Sequence, residues 1–425
     1  MKKIKTLLIG TGGRESAFLH KILQSPLLEK CFFCGIPQFF THEKLEIIKI
    51  DTNDNEKIVN FCKTNGIDFV IPCPEAPLCN GIVDALTEAG IESFGPNKLA
   101  SQLENSKIFM KDVLQKAGVP TAKYSAFTSD EFRQACEFIG EFSSKIVIKT
   151  DGLAAGKGVY ICENQSDATQ VVAEFFQGKF GDSGKKIIIE EFFDGPEVSV
   201  FAFCDGTNAI PFFHACDYKK TFDGDLGLNT GGMGSFAPSF LSENDFKNII
   251  KTHFNATLLE LQNRGISFTG VLFGGLIMTK SGAKFLEYNV RMGDPETQSI
   301  LPLLKSDLLE ILLKSARKTL IEDDIAFYEK TCVTVVLTSG GYPLDFEKNK
   351  EITGFLGVSC LAFPAGLQEN NGNFFTSGGR VLCISAVANS LSEAREVVYQ
   401  NVKKISFEGV HFRTDIANFD AKNGN

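Results

Sequence analysis

At 425 residues the chain exceeds one ordinary domain, and at ~100–200 residues each it implies about three. Hydrophobic residues make up 43% and charged residues 22%, a globular balance that excludes a disordered or fibrous chain. The net charge of −9, with no basic tract, excludes a nucleic-acid-coating role, and no apolar run reaches the ~20 residues of a membrane span.

The first apolar segment stops at Gly10, short of a signal-peptide core of ~7–15 residues, so a cytoplasmic location is expected. Strands are expected at Lys5–Ile9, Lys30–Cys34, Ile47–Ile50, Phe69–Pro72 and Glu92–Phe94, with a helix over Arg14–Leu23. This βαβ rhythm predicts a doubly wound parallel sheet. A polar helix follows over about Ser106–Ala117, then a compact α/β segment from Ala122 to about Phe193 and a larger block to about Thr319. The last hundred residues carry strands at Cys332–Leu337 and Arg380–Ala386 and a helix around Ser392–Lys404. The 12 cysteines are expected to be free thiols in a reducing compartment, and Cys31–Cys34 reads as buried strand rather than a zinc or redox pair.

The turn Gly10-Thr11-Gly12-Gly13-Arg14-Glu15 joins the first strand to the first helix. Glycines there let backbone N–H groups meet an anion, but Glu15 stands where a dinucleotide fingerprint wants its third glycine. A phosphate site and a tight structural turn both remain open. The segment Lys149–Val159 resembles a phosphate loop but is one residue short between Gly152 and Gly156, and Gly158 replaces the Ser/Thr. Lys149 and Lys157 around mobile glycines suit a triphosphate, or else a hairpin with solvated lysines. Next, the strand Ile187–Phe193 ends in Glu190 and Glu191, which could meet an adenine ring between Phe side chains, with Glu197 on the ribose; a solvated strand end is the alternative.

The segment Phe285–Gln298 is the most informative. On a strand, Glu287, Asn289 and Arg291 share one face and Tyr288 takes the other. Two oxygen ligands and a guanidinium on one face suit Mg²⁺ bridging phosphates. Asp217-Tyr218-Lys219-Lys220 and the glycine-dense loop to Gly234 form another polar stretch, a functional loop or a plain connection.

Together these motifs resemble the phosphoribosylamine–glycine ligase (glycinamide ribonucleotide synthetase) family, within the ATP-grasp superfamily. The resemblance runs through Gly12–Glu15, Pro74–Leu78, Gln102–Lys107, Asp151–Val159, Asn229–Gly234, Arg291–Glu296, Gly378–Leu382 and His411–Ile416. It implies an α/β ATP-grasp architecture. An N-terminal doubly wound parallel sheet domain would span 1–105, a two-lobed ATP-grasp unit 106–325 with a lid at about 122–193, and a small C-terminal domain 326–425. The implied reaction joins glycine to 5-phosphoribosylamine with ATP, through glycyl phosphate, giving glycinamide ribonucleotide, ADP and phosphate in purine biosynthesis. By the resemblance Lys107, Lys149, Gly156, Lys157 and Gly158 meet the ATP phosphates, and Glu190, Glu191, Phe193 and Glu197 the nucleoside. Glu287 and Asn289 would hold Mg²⁺ or Mn²⁺, with Arg291, Lys219 and Asp217 catalytic. Gly10, Gly12, Gly13, Arg14, Glu15, Glu75, Asn229, Thr230, Gly231 and Asp294 would line the other substrates. The expected partners are these small molecules, with no nucleic acid and no membrane; oligomeric state is open, and a monomer fits.

Two departures stand out. Ser16 replaces the family's usual His, and Gly35-Ile36-Pro37-Gln38-Phe39-Phe40 replaces a Pro-Gly-Asn-Ala-Gly-Thr loop. Fewer sugar contacts are therefore expected from that loop, and more from Gly10–Gly13 and Glu75. Three rival readings fit less well. The intact Gly293–Glu296 run disfavours a carboxylating ATP-grasp enzyme such as a biotin carboxylase, the presence of Glu287 and Asn289 disfavours a binding module without turnover, and a dehydrogenase would need the fingerprint that Glu15 breaks.

Overall fold

The structure is a computed structural model that describes residues 3–34, 42–152, 158–178 and 184–418. The Gly35–Phe40 loop, Gly156 and Lys157 lie outside the described residues.

The first sheet contains β1 (Ile4–Ile9), β2 (Leu28–Cys34), β3 (Leu45–Ile48), β4 (Phe69–Pro72) and β5 (Glu92–Ser93) in the spatial order β3-β2-β1-β4-β5, all parallel. Leu7, Leu8 and Ile9 are fully buried, as a strand covered on both faces requires. The expected elements are present, with β3 two residues earlier than Ile47–Ile50 because Leu45–Ile48 pair with Cys31–Cys34. Cys31 and Cys34 fall in different core clusters, on opposite faces of β2, so they cannot share a metal. Burial pushes the Cys31 thiol up to about 12.

A four-stranded antiparallel sheet follows, in the order β6-β9-β7-β8, from β6 (Tyr124–Thr128), β7 (Ile146–Thr150), β8 (Val159–Cys162) and β9 (Lys186–Glu191). It has its own core of Phe127, Phe142, Ile146, Val172 and Phe175.

The chain continues through β10 (Glu197–Asp205), β11 (Ala209–Asp217), the hairpin β12 (Lys220–Phe222) and β13 (Leu226–Asn229), β14 (Gly234–Ala237), β15 (Thr269–Thr279) and β16 (Gly282–Asn289). After it come β17 (Thr331–Thr338), β18 (Glu351–Ile352), β19 (Leu361–Pro364), β20 (Leu367–Asn370), β21 (Asn373–Thr376) and β22 (Arg380–Ala388). An eight-stranded sheet runs β16-β15-β10-β11-β14-β17-β22-β19, so the C-terminal strands extend the central sheet through the β14–β17 pairing. The hairpin β12–β13 stands as a separate two-stranded sheet. No helix among the described residues is long and apolar enough to cross a membrane.

Candidate active site

In a doubly wound sheet ligands bind beyond the carboxyl ends of the strands where the strand order reverses, here beside β1 and β4. The turn after β1 opens helix α1 (Gly13–Ile22), and Glu75 opens a short helix after β4. Glu15 folds back over the turn: a Cβ at Gly10, whose φ is +135°, would lie 2.3 Å from Glu15 Cγ. The Gly12 amide donates to Glu15 Oε2 at 2.6 Å and the Gly10 amide to the Cys34 carbonyl at 3.2 Å. Two N–H groups expected to be open to a phosphate are therefore used internally: the Glu15 carboxylate takes the Gly12 amide as an anionic ligand would, and the Cys34 carbonyl takes that of Gly10. Arg14 is buried, donates to Glu15 Oε1 at 2.6 Å and to the Met292 carbonyl at 3.1 Å, and lies 3.9 Å from Glu75. Ser16, at the position of the departure, donates to the Pro364 carbonyl at 2.6 Å and so ties α1 to β19.

Glu75 reaches the next segment as well, 3.4 Å from Arg291 Nε. Burial opposes its charge, but Arg291 and Arg14 bring its carboxyl down to about 2. Glu75 is therefore anionic throughout the neutral range, and its contribution fades only as pH falls toward that value. The strand β16 ends at Asn289, so Arg291 lies just beyond the strand on which alternation placed it. It still turns back to Asn289, donating from Nη2 to Oδ1 at 3.0 Å and to Glu104 Oε1 at 2.7 Å. Glu104 also accepts from the Val290 amide at 2.8 Å.

Glu287 sits opposite Gly275 on β15, and a β-bulge separates it from Phe285. Burial works against its charge, yet Lys219, Lys149, Lys107 and Arg291 hold its carboxyl below the usual carboxylate range. These cations come from four separate stretches of chain. Lys107, at the start of the helix Lys107–Lys116, donates to the Gly152 carbonyl at 3.0 Å; burial lowers it as a base, and Glu287 offsets that in part. Lys149 is the last residue but one of β7, whose final residue, Thr150, donates its amide to the Gly158 carbonyl at 2.9 Å. Lys219 bonds Glu197 Oε2 at 2.5 Å and lies 3.9 Å from Asp217; desolvation disfavours its charge, but Asp217, Glu197 and Glu287 hold it well above the usual lysine value.

Among the described residues no three or more His, Cys, Asp or Glu cluster as metal ligands. One carboxylate and one amide oxygen two positions apart on β16 instead fit an ion that takes few protein ligands and completes its shell with phosphate and water.

The resemblance implies that the Glu190 carboxylate meets the nucleoside. Its Oε2 accepts from Lys149 at 3.1 Å and Lys111 at 3.2 Å, while Oε1 is buried without a hydrogen-bond partner among the described residues. Glu191 and Phe193 lie partly buried beyond it, and Glu197 is exposed on the way to Lys219.

On the other side, Asp294 accepts from Gln298 Nε2 at 2.6 Å and Arg380 Nη2 at 3.0 Å, and a Cβ at Gly12 would lie 3.3 Å from it. Arg380 also donates to the Gly231 carbonyl at 2.6 Å. Thr230 donates from both its amide and hydroxyl to the Lys219 carbonyl, each at 2.8 Å, and Asn229 closes β13 opposite Lys220. The first turn, the Gly293–Glu296 loop, the Asn229–Gly231 loop and the C-terminal strand β22 thus meet at one point. Beside it Glu296 is buried, accepts from Ser199 at 3.0 Å, and is raised above the usual carboxylate range by burial and by Asp217.

Family models for phosphoribosylglycinamide synthetase match the chain in order: the N domain over residues 4–104, the ATP-grasp (A) domain over 105–297 and the C domain over 332–419. The chain belongs to the phosphoribosylglycinamide synthetase family. It is 40% identical to a phosphoribosylamine–glycine ligase of Clostridium acetobutylicum, over 97% of this chain and 99% of that protein. A human trifunctional purine biosynthetic protein is 41% identical over 97% of this chain and 41% of its own length. The crystal structure of a Thermotoga maritima phosphoribosylamine–glycine ligase superposes with a TM-score of 0.83 at 32% identity, covering 97% of this chain and all of that one. A biotin carboxylase domain of Hydrogenobacter thermophilus shares the fold, with a TM-score of 0.73 at 16% identity over 97% and 92% of the two chains.

Sequence reasoning gave no role to Lys111, Glu104, Arg380 or Glu296. Lys111 had a signal: it stands four residues after Lys107, so both project from one helix face. It is wholly buried, donates to Thr121 Oγ1 at 2.7 Å, and burial brings it down to about 8 despite Glu190. The unfolded chain therefore holds its proton up to the ordinary 10.5, and this group adds stability as pH rises from about 8 to 10.5. The same titration leaves Glu190 to neutralise Lys149 alone. The KM for ATP is expected to climb severalfold above pH 8 in the wild type. In Lys111→Met it is expected to be raised already at pH 7 and to lack that limb. Steady-state kinetics across pH 7–9.5 check this, and matching pH profiles would contradict it.

Proposed function

We propose that the chain ligates glycine to 5-phosphoribosylamine at the expense of ATP, through glycyl phosphate. The observation that carries this reading is the convergence of Lys107, Lys149, Lys219 and Arg291 on Glu287, next to the point where Gly12, Asp294 and Arg380 meet. Family membership and relatives named for this reaction support it.

A carboxylate is a poor acyl donor. In the first step a glycine carboxylate oxygen attacks the γ-phosphorus, the bond to the β-bridging oxygen breaks, and ADP leaves. Lys107 and Lys149 balance the polyphosphate charge, and Arg291, held by Glu104 and Asn289, faces the oxygens on which charge builds. Mg²⁺ or Mn²⁺ held by Glu287 and Asn289 would supply further charge neutralisation on the phosphates. In the second step the ribosylamine nitrogen attacks the acyl carbon, phosphate departs and the nitrogen loses a proton. Holding the two reactants in register is worth ~7–11 kcal/mol in favourable cases, which is the task of a site built between separate segments.

Glu190, Glu191, Phe193 and Glu197 are assigned to the nucleoside, with Lys219 and Asp217 beside the reacting groups. Gly156, Lys157 and Gly158 are assigned to the phosphates. Asn229, Thr230, Gly231 and Asp294 serve glycine and the sugar, and Gly10, Gly12, Gly13, Arg14, Glu15 and Glu75 border the phosphoribosyl group. We assign the three domains to 1–105, 106–325 and 326–425. Glu75→Ala is expected to raise the KM for phosphoribosylamine about tenfold, the scale of one lost charged contact, and leave that for ATP within twofold. An equal rise for both substrates would remove the sugar from this crevice.

A further inference from the structure

The motif His411–Ile416 has no part in the chemistry above, yet it grips one small element. Among the described residues the hairpin β12–β13 pairs with no other strand, and an isolated two-stranded hairpin is marginal in water. Its position comes from the end of the chain. His411 Nε2 bonds the Thr221 carbonyl at 2.8 Å, and Arg413 Nη1 donates to the Lys220 carbonyl at 3.2 Å and to Asp225 Oδ1 at 2.8 Å. The Thr414 amide and hydroxyl both donate to Asp223, Asp415 accepts from the Gly224 amide at 2.8 Å, and the Ala417 amide donates to the Tyr218 hydroxyl at 2.9 Å.

Arg413 is the centre of this grip. Its side chain is fully buried, forks onto both Asp415 oxygens at 2.7 and 2.6 Å, and lies 4.9 Å from the centre of the Tyr218 ring. The carbonyl it holds, that of Lys220, adjoins the Lys219 carbonyl that fastens Thr230, and the Gly232 amide in turn donates to Thr230 Oγ1 at 2.9 Å. Tyr218 and Lys220 therefore bracket Lys219 between two anchors from residues 413 and 417.

We propose that Arg413 is a positioning residue for the reaction: from the C-terminal segment it fixes the base of the hairpin, and with it Lys219 and the Thr230–Gly232 loop. This rests on the function assigned above. Only a planar fork reaches the Lys220 carbonyl, Asp225 and Asp415 at once, so lysine keeps the charge and loses the grip.

The test compares Arg413→Lys with the wild type in glycine- and phosphoribosylamine-dependent ADP release, melting temperature and amide hydrogen exchange. Arg413→Lys is expected to lower kcat about 10–100-fold, the range seen when a supporting contact behind a site is removed, with the KM for ATP within twofold. The amides of Gly224, Thr230 and Gly232 should exchange faster, while those of β17 and β22 stay protected. Asp225→Asn, which leaves the Arg413–Asp415 pair intact, should show the same pattern more weakly at unchanged melting temperature. A kcat within twofold of wild type in Arg413→Lys would overturn the proposal, as would a loss that merely follows the folded fraction. A wild type without glycine-dependent turnover would sink the assigned reaction instead; unchanged exchange at Thr230 and Gly232 in Arg413→Lys would still overturn the positioning.

Discussion

Glu287→Gln is expected to lower turnover by at least about 10²-fold while leaving the fold and melting temperature close to wild type, the cost typical of deleting one preorganised charged group at a reacting centre. Glutamine fills the same space opposite Gly275, so packing is preserved. It removes the negative charge around which Lys219, Lys149, Lys107 and Arg291 are gathered, and offers the ion a neutral amide oxygen in place of a carboxylate. The defect should be eased in part by high Mg²⁺ or Mn²⁺. Normal turnover at limiting metal would show that Glu287 does not serve the ion.

Arg291→Lys is the second large effect. Lysine preserves the charge but cannot contact Glu104, Asn289 and Glu75 together, so its ammonium would sit wherever one carboxylate holds it. The expected result is a kcat lowered by about 10²–10³ with the KM for ATP changed less than threefold, because the lost interaction matters most when charge develops during transfer. A variant with intact kcat and a raised KM for ATP would make Arg291 a binding group only.

Much of this was legible before the structure. The first sheet follows from apolar strands alternating with helices, and the pairing of Glu287 with Asn289 follows from strand alternation alone. The same alternation predicts Arg291 on that face, although the strand ends two residues earlier and hydrogen bonds, not the pleat, bring it there. Partners distant in sequence were not legible. Lys111 looks like one more charge on a polar helix, and its burial depends on the β6–β9 sheet closing over it. Glu190 carries no sign that two lysines will claim one of its oxygens. In the sequence Glu15 only breaks a fingerprint; that it folds back and caps the turn itself depends on the fold of the loop. The continuation of the central sheet into β17 and β22 depends on pairing Gly234–Ala237 with strands a hundred residues later, which local pattern does not encode.

The central claim is tested most directly by measuring ADP release from ATP by the purified chain, with glycine and phosphoribosylamine each present or omitted, and identifying the product by mass. Release that requires both substrates and yields glycinamide ribonucleotide in step with ADP is the result predicted. ADP release indifferent to glycine, or driven by bicarbonate instead, would contradict the account.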